Sequence, residues 1–178
     1  MDLSDPAEFV PTPLPTRACG ECTLCCKVYS VPALEKPAGT WCRHCSPGRG
    51  CGIHATNPEQ CRAFYCLWMT DGGVPDHWKP SRSKMVATIF PSTGFIYVQV
   101  DPGQPRAWTR EPYRSELARW SGQLLKSGRH LLVFVNDDAT LIIENEAVPL
   151  GRMTPGEGFR VGRRMTPQGM RYTVERGA

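Results

Sequence analysis

Two overlapping Cys-x-x-Cys steps, Cys19 to Cys22 and Cys22 to Cys25, run directly into Cys26, so four thiols stand within eight residues. Steps of that length let a tight turn bring two thiolates to one tetrahedral ion, at Zn–S distances of about 2.3 Å. Cys42, Cys45, Cys51, Cys61 and Cys66 follow, and none of the nine cysteines of the 178-residue chain lies beyond Cys66. A disulfide framework, a metal site, a redox pair and inert core thiols compete as explanations. An odd count leaves one thiol over in any intramolecular pairing. Residues 1 to 18 are acidic and proline-rich, with no apolar run of the length a signal peptide needs. The expectation is therefore a cytoplasmic chain whose thiols stay reduced or bind metal, and the clustering favours metal.

Cys25 and Cys26 constrain the geometry further. Adjacent side chains point about 100° apart on a helix and to opposite faces of a strand, so the pair cannot readily serve one ion. Two metal positions, or one polynuclear cluster with bridging sulfurs, are the arrangements this leaves. Downstream, Asn57 is a good N-cap, Pro58 fits the first helical position and Gln60 sits where a capping box wants Glu or Gln, so a short helix is expected there. Phe64 and Trp68 would share a stripe with Cys61 and read as ordinary core, the apolar cover that keeps water from thiolates. Cys61 and Cys66 would stand about 140° apart around the axis. Either the helix frays before Cys66 or the two sulfurs approach the site from different sides.

The CxxCxxCC run, the later Cys42, the Gly50-Cys51-Gly52-Ile53 block and the Pro58-x-x-Cys61-Arg62-x-Phe64-x-Cys66 block together resemble a known family. It is the zinc- or iron-chelating domain family named for its CxxCxxCC motif, and the resemblance spans residues 19 to 69. It implies the ligands Cys19, Cys22, Cys25, Cys26, Cys42, Cys51, Cys61 and Cys66, and leaves Cys45 as the extra thiol. His54 stands where the family usually has Tyr, and Asn57 where it usually has Arg. The resemblance also extends to a cysteine domain of flagellin lysine methylases, which keeps methyl transfer in view.

Of the four histidines, His44 and His54 lie close enough in sequence to the cysteines to complete a mixed Cys/His shell, or to stand just outside one. His77 and His130 do not. Thiolates suit zinc and iron–sulfur clusters alike. The spacing differs from the ferredoxin run, and eight thiolates would close two four-coordinate zinc shells, so zinc is expected, with iron or an iron–sulfur cluster as the alternative.

These residues need elements to hold them. The expected organisation is a flexible segment over 1–18, a cysteine-rich module over 19–69, a linker over 70–83 containing Gly72, Gly73, Pro75 and Pro80, and an α+β domain over 84–178. In the last, Met85 to Phe90 and Phe95 to Val100 read as a hairpin. Pro112 opens a helix with Tyr113, Leu117, Trp120, Leu124 and Leu125 on one stripe, ending near Gly128. His130 to Val135 and Thr140 to Ile143 form a second hairpin around Asn136 to Ala139. The order implies an antiparallel sheet with one covering helix. The basic stretch from Phe159 either adds a hairpin around Gln168-Gly169 or stays mobile.

The function classes narrow accordingly. The formal charge of +4 counts every thiol as neutral, and eight thiolates on two divalent ions would bring the chain near neutrality. That argues against a nucleic-acid partner, and Arg152, Arg160, Arg163, Arg164 and Arg171 read as a solvated face. No stretch is apolar enough to span a bilayer, and no phosphate loop, nucleophile elbow or acid–base pair is visible. Asp137-Asp138 reads as a turn. The expectation is a metal-binding protein with structural or stored zinc, whose α+β part meets a protein or small ligand. The alternative is an iron–sulfur protein acting in, or beside, a redox or methyl-transfer enzyme.

Overall fold

The computed structural model describes residues 12–153, 157–167 and 169–177. Turn formers dominate the cysteine-rich end, and its regular elements are correspondingly short. Helix α1 is Cys25–Val28, strands β1 and β2 are Cys45–Ser46 and Gly50–Cys51, and helices α2, α3 and α4 are Glu59–Arg62, Leu67–Thr70 and Pro80–Ser83. The remaining elements are longer: β3 Met85–Phe90, β4 Phe95–Val100, α5 Tyr113–Leu125, β5 Leu131–Val135, β6 Asp138–Ile143, β7 Glu146–Arg152, β8 Phe159–Thr166 and β9 Gly169–Arg176. The fold is α+β. No helix among the described residues is long and apolar enough to cross a membrane.

Strands β3 to β7 form one sheet in sequence order. Its first hairpin has the expected bounds, with Met85 opposite Val100 and Phe90 opposite Phe95. The expected all-antiparallel sheet is corrected to a mixed one, because β4 and β5 pair in parallel, Ile96 opposite Leu131 and Val100 opposite Val135. Helix α5 between them carries the chain back across the sheet before β5 begins, so both strands start at the same end. The second hairpin turns on Asn136 and Asp137 alone, with Val135 opposite Asp138 and Asn136 at φ 54°. Strand β7 is an addition. Its Pro149 speaks against a strand in the sequence, yet β7 closes the sheet as an edge, where a missing N–H costs nothing.

Alternation along the strands divides the core between two faces. Ile96, Val98 and Val100 of β4 and Leu131 and Val133 of β5 face one cluster, together with Leu117, Trp120 and Leu124 of α5. Leu132, Leu141 and Ile143 face the other, covered by Phe159, Val161, Tyr172 and Val174 of the β8–β9 hairpin. The basic stretch thus adds the hairpin, with Thr166 opposite Gly169; its turn residue Gln168 lies outside the described residues.

The cysteine-rich end shares the first of these cores. Leu24 capping α1, Val28 of α1, Cys66 beside α3, and Leu67 and Trp68 of α3 belong to the same cluster as Val86 and Ile96 of the sheet. The stretch 70–83 is part of the core, not a free linker, since Val74 and Trp78 are 1% and 2% exposed. The Trp78 indole N–H donates to Glu116 Oε2 at 2.6 Å, which fixes the stretch to α5. Of the expected flexible segment, residues 1–11 lie outside the described residues, while Leu14 and Arg17 are tied to the core. Leu14 N–H donates to Met69 O at 2.8 Å. The Arg17 guanidinium, 5.1 Å above the Trp68 ring, donates to the carbonyls of Trp68, Asp71 and Val74. A half-buried ion pair, Lys27 Nζ to Asp101 Oδ1 at 2.6 Å, adds a second tie between α1 and the end of β4. Gly39, at φ +75°, passes so close to the β5–β6 turn that a Cβ would sit 2.6 Å from Asn136 Oδ1.

On the second face His130 lies against Phe95 and Phe159, with ring centroids at 4.9 and 5.3 Å and its Nδ1 buried without a partner. Burial disfavours the imidazolium and lowers the pKa from 6.5. The unfolded chain therefore protonates first, so this contribution to stability is complete above pH 6.5 and is lost as pH falls below it. Urea unfolding between about pH 7 and pH 5 is expected to show a loss of stability that His130→Phe reduces. Equal pH slopes in the two proteins would remove His130 from the account.

Candidate metal centre

The local fold around the thiols is set by a few small decisions. Gly20, at φ +52°, turns the chain so that Cys22 N–H donates to Cys19 O at 2.8 Å. Leu24 and Val28 anchor α1 in the core, which leaves Cys25 and Cys26 half-buried between them. Cys42 N–H donates to Cys26 O at 3.0 Å and Cys45 N–H to Cys42 O at 3.0 Å, bringing the second cysteine group onto the first. In the β1–β2 ladder Cys45 stands opposite Cys51.

The helix expected to open at Asn57 is shorter and capped differently. It covers only Glu59–Arg62, with Pro58 in the cap position and no side-chain cap. Asn57 is buried, with its Oδ1 unpaired and its carbonyl accepting from Arg62 Nη1. The chain leaves the helical path after Ala63 and re-enters it at Leu67, with Cys66 in an extended conformation as the residue capping α3. Of the two outcomes left open for Cys61 and Cys66, the helix ends first. Tyr29 and Phe64 then pack beside the thiols with ring centroids 4.8 Å apart and planes tilted by 56°, while Trp68 is buried in the core.

All nine cysteines are free thiols. Cys26 stands at the centre of their mutual effects: its thiol contacts Cys25 and Cys45, and Cys19 and Cys61 feel its charge. Cys66 feels Cys19 and Cys22, the Tyr29 hydroxyl feels Cys25 and Cys66, Cys45 feels Cys42, and Cys61 feels Cys42 and Cys51. The eight cysteines implied by the resemblance are thus neighbours. So is Cys45, the thiol that the resemblance leaves over.

His44 and His54 take no part in these thiol contacts. His44 Nε2 accepts from Arg43 Nε at 3.2 Å, and His54 is exposed. Among the described residues, no three Cys, His, Asp or Glu side chains already stand at the mutual spacing that holds one ion. Direct thiol contacts join Cys26 to Cys25 and to Cys45.

Crowding has an electrostatic consequence. The Cys26 thiol is pushed well above its ordinary value by its contact with Cys25, by burial and by the Cys25 charge. Burial raises Cys66 to about 11, with Cys19 and Cys22 adding to it. Burial and Cys26 raise Cys45 to about 11. Cys19 and Cys61 are raised chiefly by burial. In each case loss of a proton places a negative charge in a partly dry site beside other potential anions.

Two polar groups accompany the thiols. The Tyr29 hydroxyl is buried without a hydrogen-bond partner although Cys25 and Cys66 lie within its electrostatic reach. A hydroxyl donor stranded beside neutral thiols gains an acceptor when a sulfur becomes a thiolate. Lys36 is the second. It is 6% exposed, and its ammonium donates to Lys27 O at 2.7 Å and to Tyr29 O, within electrostatic reach of Cys42, Cys26, Cys25 and Cys45. Neither residue carries a signal in the sequence, since only the fold turns them toward the cysteines. The donor set is soft, reduced and short of positive charge, which fits a thiophilic cation in its chemistry.

Compared with known proteins, the chain matches no family model, no curated protein and no solved structure.

The raised thiols make a prediction for metal-free protein. A pKa of about 11 in place of 9.0 leaves about a hundredth of the thiolate, and the more basic sulfur recovers part of that loss through greater nucleophilicity. Alkylation near pH 8 is expected to be about tenfold slower at Cys45 and Cys66 in the folded, metal-free chain than in denaturant. Peptide-resolved mass spectrometry measures this, and equal rates would contradict the electrostatic picture.

Proposed function

We propose that the chain is a metal-chelating protein whose cysteine cluster takes zinc at two thiolate positions meeting at the Cys25–Cys26 pair. The observation carrying the proposal is the gathering of nine free thiols at one end of the fold, five of which, Cys19, Cys26, Cys45, Cys61 and Cys66, are made harder to ionise by burial and by neighbouring cysteines. A divalent ion removes that hindrance by displacing the protons. Cys19, Cys22, Cys25 and Cys66 would hold one position. Cys26, Cys42, Cys51 and Cys61 would hold the other, with Cys45 beside it as a fifth thiol. The resemblance of residues 19 to 69 to a zinc- or iron-chelating family points the same way. Bound zinc supplies fixed positive charge and on the order of 10 kcal/mol of folding free energy per site in small zinc domains. Reduced thiols suit a cytoplasmic setting, and the α+β part offers a surface to a protein or small ligand.

Metal analysis of protein purified without added metal, with its visible spectrum, tests this directly. A colourless protein with about two zinc ions per chain is expected. A brown protein with iron and labile sulfide would replace zinc by the iron–sulfur reading, and failure to take up either metal would reject chelation. In cobalt-loaded protein, Cys25→Ser and Cys26→Ser are each expected to lose a different part of the thiolate-to-metal absorption. Identical spectra would reject two positions. Tyr29→Phe is expected to weaken zinc binding by about tenfold while leaving the fold intact, because the hydroxyl supports a ligand sulfur without touching the ion.

A further inference from the structure

A buried ammonium needs an anion. Taking an isolated Lys charge out of water is so unfavourable that such groups are paired, or else lose their proton. Among the described residues, Lys36 is the only charged one in the buried set. No carboxylate among them lies within ion-pair distance of it. Its two hydrogen bonds go to neutral carbonyls, Lys27 O and Tyr29 O, at the end of the short helix that presents Cys25 and Cys26. The residues able to become anions around it are Cys25, Cys26, Cys42 and Cys45.

Position and backbone agree on this role. The Val31–Lys36 bridge and the 3-10 turn Pro32–Leu34 fold the loop back under α1, and Glu35, at φ 51°, completes the reversal that delivers the Lys36 side chain inward. Val31 N–H donates to Lys36 O at 2.8 Å and Lys36 N–H to Val31 O at 3.2 Å, so the lysine is held at both ends. Elsewhere in the cluster, Lys79 lies near Cys19 and Arg62 near Cys61.

We infer that Lys36 is the built-in counter-cation of an all-thiolate, net anionic metal centre, a positioning residue whose charge offsets the excess of thiolates over metal charge. The inference rests on the chelation proposed above and specifies what kind of centre is chelated. Four thiolates on one divalent ion leave a charge of about −2, whereas a shell with two neutral histidines is neutral and gives a buried ammonium nothing to balance. His44, bonded to Arg43, and the exposed His54 stay outside the shell. The centre accordingly selects thiophilic ions over those that prefer oxygen.

Zinc affinity, measured on the full chain by competition with a chromophoric chelator, separates charge from hydrogen bonding. Lys36→Arg keeps the charge, Lys36→Gln keeps a donor one atom shorter without the charge, and Lys36→Met keeps neither. Lys36→Arg is expected within about threefold of the parent, and both neutral variants at least tenfold weaker, with unchanged stoichiometry. Equal affinity in Lys36→Gln and parent overturns the inference alone, as does a loss in Lys36→Arg as large as that in Lys36→Gln. If the neutral variants do not fold, the parent still decides. Protons released per zinc bound, counted in weakly buffered solution or by native mass, are expected to number about four. About two per zinc means a neutral centre and overturns the inference, while a parent that binds no zinc overturns the chelation proposal itself.

Discussion

A helix of four residues, a two-residue ladder and a string of turns cannot fold by themselves. Nucleating a helix is unfavourable, and an element of one turn survives only by packing against something larger. The cysteine-rich end solves this by placing Leu24, Val28, Leu67 and Trp68 in the same core that β3, β4 and α5 build. Each of those side chains is worth about 2 kcal/mol when removed from water. The thiols are consequently arranged by the sheet, with Cys66 directly preceding Leu67 and Cys25 and Cys26 lying between Leu24 and Val28. Arg17, gripping the carbonyls of Trp68, Asp71 and Val74, closes the same joint from outside.

This dependence explains why the domain division read from the sequence does not describe the molecule. Gly72, Gly73, Pro75 and Pro80 do mark turns, as their backbone chemistry requires, but turns do not make a linker. Val74 and Trp78, lying among them, are buried, and the Trp78 ring packs 4.5 Å from Trp120 of α5. Composition suggested a linker where two aromatic residues report packing. The strands and α5 were legible because their periodicities are long enough to be unambiguous: Met85 to Phe90, Phe95 to Val100 and the Leu117, Trp120, Leu124 stripe recur in the structure as read. The parallel pairing was misread as antiparallel, although a helix inserted between two strands is the ordinary way to bring them into parallel register. Strand β7 was hidden by Pro149, which marks an edge as readily as a loop.

Around the candidate site the sequence carried the donors but not their surroundings. Spacing alone identified the cysteine cluster and the awkwardness of Cys25 beside Cys26, whose thiols touch each other in the fold. Motif matching set Cys45 apart. Its thiol nevertheless contacts Cys26, brought there by the chain reversal at Cys42 to Cys45, a distance in space that no alignment of motifs encodes. Tyr29 and Lys36 lie three and ten residues beyond Cys26, among ordinary loop residues. Nothing in their spacing distinguishes them from core and surface positions until α1 and the loop after it are folded.

The electrostatics of the cluster also bears on how the chain would assemble. In the metal-free protein burial opposes thiolate formation, and Cys26 is opposed further by its contact with Cys25. The same burial strengthens each thiolate's attraction to a cation once one is present, since low dielectric raises both the cost of a lone charge and the gain from a paired one. A site of this kind resists ionisation when empty and holds its ion firmly when full. Packing supplies the first condition, because Leu67 and Trp68 can dock on the sheet while the thiols remain protonated. On the proposed reading the core gathers the ligands first, and the ion would then draw them into its shell.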